Sequence, residues 1–504
     1  MLVNAQDRKH DLYWQRDLQL ADDYFHLNKF AKALEIYEKL YSVDSSNDEL
    51  NYDIAICHFT MSKQHNNALR FFHNTVDNKV DPEKNFYLCV LYLERNQLDS
   101  AEWYLVKYLN DGRTKNVNHQ EIDRIENNIE NARRAFAVPP LTHVNNLGEP
   151  INSKYSDYVP LVSANENKII FTSRRFESSG DKDENGLMYE HILSSVRENG
   201  KFIPPVMMKT MNKEHYQNAC VGLTADGQNL IIYASKKGHA SKGDLYLSTL
   251  TDSGWSNTQK FPSQINSESS NEFSATLSAD GQILYFSSDR PGGFGGLDLY
   301  RSVKLPDGTW SKAVNLGSRI NTKYNEDAPF VHPSGSVLYF SSQGHSSIGG
   351  YDLFYTEADS MGYWGNPQNM DIPINSTSDD IFLSITPNGQ HGYFASTRHE
   401  GYGESDIYYF NSDVSYQKQY HVIKGKIIDD AGTPVIVTHM TLINNDTKKV
   451  EGIYCNNKNG NFIVVVDDIS KYTLFIEAGG HQAIHVPLDN SVESMGQLIL
   501  NRLK

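Results

Sequence analysis

The sequence predicts a multi-domain α+β chain: an N-terminal α-solenoid, a five-bladed β-propeller and a C-terminal β-sandwich. Three observations predict it. Small and apolar residues recur at helical offsets over 11–137, with a period of about 34 residues. A strand-turn-strand phrase recurs over 138–415. Two-residue alternation broken by turn signals fills 416–504.

At 504 residues the chain exceeds one core and divides into about three domains. A formal net charge of −16 sets nucleic acid aside as a partner. No apolar run is long enough to cross a bilayer as a helix. Cys57, Cys89, Cys220 and Cys455 lie far apart without C-x-x-C spacing, which argues against a disulfide framework and a zinc site. In residues 1–10, "MLVNAQ" places small residues at Val3 and Ala5, the spacing a signal peptidase reads. The segment is expected to be a signal-peptide remnant or a disordered terminus, and the protein periplasmic.

Trp14, Leu20, Ala21, Tyr24, Ala33 and Tyr37 stand at the offsets of a helix-turn-helix repeat. Ile54, Ala55, His58, Ala68 and Phe71 form a second copy; Leu88, Cys89, Tyr92, Ala101 and Leu105 form a third. The pattern resembles the tetratricopeptide repeat, and His119 to Phe136 reads as a polar helix capping the open end of the array. In such a groove Trp14, Tyr24, Tyr37 and Tyr92 are candidate peptide contacts, with packing the competing role.

"VPPL" (Val138 to Leu141) ends the helices. Beyond it, "LIIYASKKGHASKGDLYLS", "LYFSSDRPGGFGGLDLYRS", "LYFSSQGHSSIGGYDLFYT" and "GYFASTRHEGYGESDIYYF" are variants of one phrase, and "IIFTSRRFESSGDKDENGLMYEHI" is a looser fifth. Boundary residues Asn212, Asn266, Asn321 and Asn375 recur 54 or 55 apart. Four strands per unit, repeated radially, predict propeller blades. The last unit lacks its final strand, and 141–152 supplies one, closing the ring. The glycine loop leads into a strand, so it does not cradle a dinucleotide phosphate as a turn opening a helix would.

The phrase "YFSSDRPGGFGGLDLY" resembles the WD-repeat-like propellers of the TolB type. The stretch "VIKGKIIDDAGTPV…GNFIVVV…YTLFIEAGGH" resembles the carboxypeptidase-regulatory-like, transthyretin-type sandwich. Helical repeats, propeller and sandwich in this order resemble PorE-like periplasmic proteins of Bacteroidetes. That resemblance implies a non-catalytic scaffold binding other proteins of an outer-membrane-associated complex in type IX secretion or gliding. The family usually continues into an OmpA-like domain; the sequence ends at "LILNRLK", so peptidoglycan binding is not supported. A ligand-sensing propeller, binding a glycan or peptide on a charged rim, is the alternative.

That rim is read from spacing. Acids recur before the first turn (Asp157, Glu272, Glu326, Asp380, with Asn218 the exception). Bases recur after the second strand (Arg175, Lys237, Arg290, Arg398, with Gly344 the exception). The third strand opens with Asp244, Asp298, Asp352 and Asp406. Acid, base and Asp are expected to meet once per blade, pinning loops or, where unpaired, facing a partner. "DKDENG" offers Asp181, Asp183 and Asn185 as a weak Ca2+ site, but Ile192 stands where a bidentate Glu would complete it. No other cofactor is expected. No G-x-S-x-G or H-E-x-x-H motif occurs and no segment reads as a hydrolase domain, so the chain is expected not to be an enzyme.

Overall fold

A computed structural model describes residues 3–503 apart from 62–64, 78, 114–115, 141, 176–181, 184–185, 213–215, 238–241, 252, 412–419, 437–438, 455, 457–458 and 489–493. Seven helices come first: α1 (Val3–His26), α2 (Phe30–Tyr41), α3 (Asp48–Thr60), α4 (His65–His73), α5 (Glu83–Leu93), α6 (Leu98–Asn110) and α7 (His119–Phe136). Fully buried Ala21, Ala33, Ala55 and Ala68 let neighbouring axes approach, and Tyr37, Phe72 and Leu88 fill the space between them. The start of α3 is set by Asn47, whose side chain accepts from Leu50 N at 3.0 Å. Asn118 does the same for α7, accepting from Gln120 N at 2.9 Å.

Every described strand lies beyond the helices. Five antiparallel sheets follow one another, each hairpin-connected and led by its innermost strand: Asp157–Val162, Tyr216–Leu223, Glu272–Leu277, Glu326–Val331 and Asp380–Ile385. These five strands touch in cyclic order, the last meeting the first. At the turn end of the axis they enclose only about 30 Å³. The fifth sheet is completed by Val144–Asn146, whose Asn145 pairs with Tyr409 on Asp406–Asn411. Ring closure therefore rests on a strand that precedes the first sheet and forms the outer edge of the fifth.

The C-terminal part has a three-stranded and a four-stranded sheet around one core that includes Ile423, Met440, Phe462 and Leu474. Ser494–Leu500 runs parallel to His421–Asp429. This part sits at the turn end of the ring, where Tyr420 packs on His332 at 4.4 Å and its hydroxyl meets Ser336 Oγ at 3.1 Å.

The composite fold class read from the sequence is corrected. Strands outnumber helices among the described residues, the seven α-helices are confined to the first part, and the expected composite of solenoid, five-bladed propeller and transthyretin-like sandwich is not shown. Helix α7 caps no open end: Asn131 Nδ2 donates to Ser347 O at 2.9 Å, and buried Asn128 donates to Gly349 O. A capping helix faces water, whereas this one lies against a loop of the fourth sheet, so the α7 end of the array is covered. The C-terminal sheets include a parallel pair, which strand alternation alone did not reveal. Residues 3–10, expected as a remnant or disordered terminus, lie within α1.

Candidate functional site

The rim residues are the first test of the sequence reading. In the first, third and fifth sheets acid and arginine do meet: Arg175 Nη2 lies 2.6 Å from Asp157, Arg290 Nη2 3.0 Å from Glu272, and Arg398 Nη2 2.9 Å from Asp380. The three acids are fully buried. Each guanidinium also donates to a backbone carbonyl of the preceding loop, at Ile151, Ile265 and Ile374. These ion pairs fasten loops, although Arg398 Nε, unlike the Nε of Arg175 and Arg290, has no hydrogen-bond partner among the described residues.

The third member of the expected triad does not join them. Asp298 takes Phe294 N at 2.6 Å, Gly295 N at 3.0 Å and Asn315 Nδ2 at 2.7 Å, so it holds the glycine loop rather than Arg290. A Cβ on Gly295 would overlap the Tyr324 carbonyl, which is why the loop is glycine-rich: the next sheet's chain passes against it. Asp352 likewise accepts from Ile348 N at 2.8 Å, and Asp406 from Gly403 N at 3.1 Å and Asn146 Nδ2 at 2.9 Å. Asp244 pairs with Lys260 at 2.7 Å, and Lys237 lies over the Tyr189 ring at 4.6 Å. Glu326 takes Thr322 and Ser342 hydroxyls at 2.7 and 2.8 Å, and burial pushes its carboxyl up to about 7.

Among the helices, Tyr37 is buried and donates to Asp22 at 2.8 Å. Trp14 and Tyr24 pack against the same apolar cluster. Tyr92 is partly exposed, stacks on Tyr104 with ring centres 5.3 Å apart, and meets His73 Nε2 at 2.9 Å. They serve packing more than a groove. Of the calcium candidates, Asp181 and Asn185 lie outside the described residues. Asp183 is taken by Arg174 at 3.3 Å and by Leu187 N at 3.0 Å. Among the described residues no cluster suits a metal ion, and no helix is long and apolar enough to cross a membrane.

A different place gathers polar side chains. At the seam between fifth and first sheets lies a cleft of about 520 Å³, whose lining includes Glu149, Glu166, Arg197, Lys201, Phe202, His391, Tyr393, Tyr409 and Asn411. Glu166 is its hub: Oε1 accepts from His391 Nδ1 at 2.7 Å and Oε2 from the Tyr393 hydroxyl at 2.6 Å. Arg197 Nη2 donates to the Tyr393 oxygen at 3.0 Å, and its guanidinium lies over Phe202 at 4.6 Å. Burial, with the carboxylate beside it, raises the Tyr393 phenol far above its ordinary value, so Tyr393 stays protonated as a donor. Arg197 Nε and His391 Nε2 have no partner among the described residues. Tyr409 stacks near Tyr393 at 6.2 Å and forms an aromatic wall.

Sequence reasoning missed this group, although one signal was present. Gly227, Gly281, Gly335 and Gly389 close the equivalent turns at φ between 68° and 75°. The first sheet's turn, "SANENK", puts Glu166 there at φ 57°, and its N–H closes the same turn onto Ser163 O at 2.7 Å. A glutamate in the left-handed region is disfavoured by about 1–2 kcal/mol. An outlier of this kind directs attention to a site.

No protein-family model and no curated protein matches the chain. Solved structures do. An α-L-arabinanase from Penicillium chrysogenum complexed with arabinobiose is 14% identical over 54% of this chain and 99% of its own, with TM-score 0.33. An α-L-arabinofuranosidase from Lactobacillus brevis is 11% identical over 57% and 94%, with TM-score 0.33. A GH43_12 protein from capybara gut metagenome is 13% identical over 69% and 67%, with TM-score 0.36. Such scores carry no argument about this chain's residues, and the ring itself rests on the strand pairing above. Two expectations are nevertheless corrected. The chain was expected not to be an enzyme; an arabinanase and an arabinofuranosidase are among the solved structures it matches, and that expectation is not kept. The tetratricopeptide, carboxypeptidase-regulatory and type IX secretion assignments are not retained, since no family model and no curated protein supports them.

Proposed function

We propose that the sheet ring is a β-propeller that binds a glycan in the seam cleft. The observation that carries this reading is the Glu166 hub, a hydrogen-bond network already assembled around an open, partly aromatic cleft. A sugar offers many hydroxyls and a weakly apolar ring face. It is matched by fixed polar groups beside aromatic walls, such as Arg197, His391 and Asn411 beside Tyr409 and Phe202. The rim pairs are mostly spent on fastening loops, which favours the seam over the rim as the ligand site.

The test is calorimetric titration of the full chain with a panel of neutral and acidic oligosaccharides, repeated with R197A and Y409F. Saturable binding that weakens about tenfold in R197A supports the reading. Absence of binding across the panel, or binding that R197A leaves unchanged, overturns it.

A further inference from the structure

The same cleft holds a histidine placed to do chemistry. We propose that His391 is a general base that cleaves a uronate-containing glycan by β-elimination, with Arg197 neutralising the sugar carboxylate; this rests on the seam cleft being the glycan site.

The geometry runs through one directed chain of hydrogen bonds. Arg197 donates to the Tyr393 oxygen, Tyr393 donates to Glu166, and Glu166 accepts the N–H of His391 Nδ1. With the proton on Nδ1, the lone pair stands on Nε2, which has no partner among the described residues and belongs to a half-buried side chain lining the cleft. A carboxylate that fixes the tautomer and orientation of an imidazole is the arrangement a general base requires.

The rest of the cleft selects the reaction. Hydrolysis by paired carboxyl groups needs two of them free to flank the bond. Both oxygens of Glu166 are committed to His391 and Tyr393, which leaves Glu149 alone among the described lining residues. Elimination needs a base and a cation instead, and His391 stands with Arg197 and Lys201 in one cleft. The Arg197 guanidinium lines the cleft and supplies the positive charge that a carboxylate requires.

The step balances within the substrate. His391 Nε2 removes the proton from the ring carbon that bears the carboxylate. That electron pair forms a carbon–carbon double bond to the next ring carbon, and the bond from this carbon to the glycosidic oxygen breaks. The departing oxygen takes a proton back from the imidazolium. One chain end becomes unsaturated and the other gains a hydroxyl; no oxidant, metal or water is consumed.

The backbone supports a selected site. Glu166 occupies the left-handed position that glycine holds in the four other turns, and from there its side chain reaches the fifth sheet. E166G therefore restores the residue those turns use and is expected to fold.

The experiment measures two quantities on the full chain: binding of polygalacturonate by calorimetry, and the ultraviolet absorbance of the new double bond. Neutral arabinan serves as control. The proposal expects absorbance to grow with polygalacturonate and not with arabinan. H391A and H391Q lower the rate at least about 100-fold while binding persists, and E166G lowers it about tenfold and shifts its pH profile. Polygalacturonate bound without unsaturated product, or turnover that survives in H391A and H391Q, overturns the catalytic role and leaves glycan binding intact. No binding of any glycan overturns both.

Discussion

His345 Nε2 meets the Ile320 carbonyl at 3.0 Å, the place that an arginine takes in the first, third and fifth sheets. Arginine cannot stand in the fourth sheet, because even a Cβ on Gly344 would overlap Thr322. Glu326 is therefore buried with hydroxyl and amide donors but no guanidinium. Nearby Asp298 adds like charge, and the carboxyl rises from an ordinary 4.5 to about 7. Asp352, on the third strand of the same sheet, is pushed up to about 8 by burial, with Asp380 adding to it.

A pH dependence follows from these two acids. Each is neutral in the folded chain over a range where its unfolded counterpart is ionised. Stability is therefore greatest below the unfolded values of 3.8 and 4.5 as far as these groups act, and it is lost as pH rises from there through about 7 to 8. Urea titrations at several pH values are expected to show this loss, with E326Q removing on the order of 3 kcal/mol of it. An E326Q slope identical to that of the parent chain would contradict the assignment.

Breaking a rim pair on one side leaves a buried charge. R290M strands the Glu272 carboxylate, which is fully buried, and should cost about 3–5 kcal/mol. The double variant R290M/E272L is expected to lose less than the sum of the two single changes. Denaturant unfolding followed by fluorescence of Trp310, which packs near Phe261 in the same part of the ring, reads both.

The glycine loop of the third sheet separates contact from conformation. G295A drives a methyl into the Tyr324 carbonyl and is expected to lose more than about 3 kcal/mol or not to fold. G292A, where a Cβ meets open space at φ 92°, carries only backbone strain and should cost about 1–2 kcal/mol. Equal losses would assign the loop's composition to conformation alone.

Docking of the helices onto the ring depends on α7. Removing the amides of Asn128 and Asn131 takes away donors to Gly349 O and Ser347 O. In N128A/N131A, hydrogen exchange in residues 344–350 and in α7 is expected to rise about tenfold. The strands of the first and second sheets should remain protected, which distinguishes undocking from general destabilisation.

Much of the local architecture is legible in the residues. A turn such as Ala279 to Gly281, apolar runs such as Ile283 to Phe286 and the recurrence of Asp at third-strand starts specify a hairpin unit. Each depends on neighbours a few residues apart. The roles within the unit were less legible: Asp298 looked like a partner for Arg290, but the loop amides between them were closer. Lys237 looked like a rim base, and it went to the Tyr189 ring because Asn218 supplies no charge.

By itself, the sequence determined the recurring hairpin units, their turns and the need for glycine where chains cross, because those follow from short-range hydrogen bonding and side-chain volume; a fifth short strand in the first and second sheets was not read from it. Only the tertiary structure decided that α7 lies on the fourth sheet, with Asn128 and Gly349 221 residues apart, and that Glu166 meets His391 across 225 residues. Closing the ring brings distant turns together, and no local pattern encodes which side chains then share a cleft.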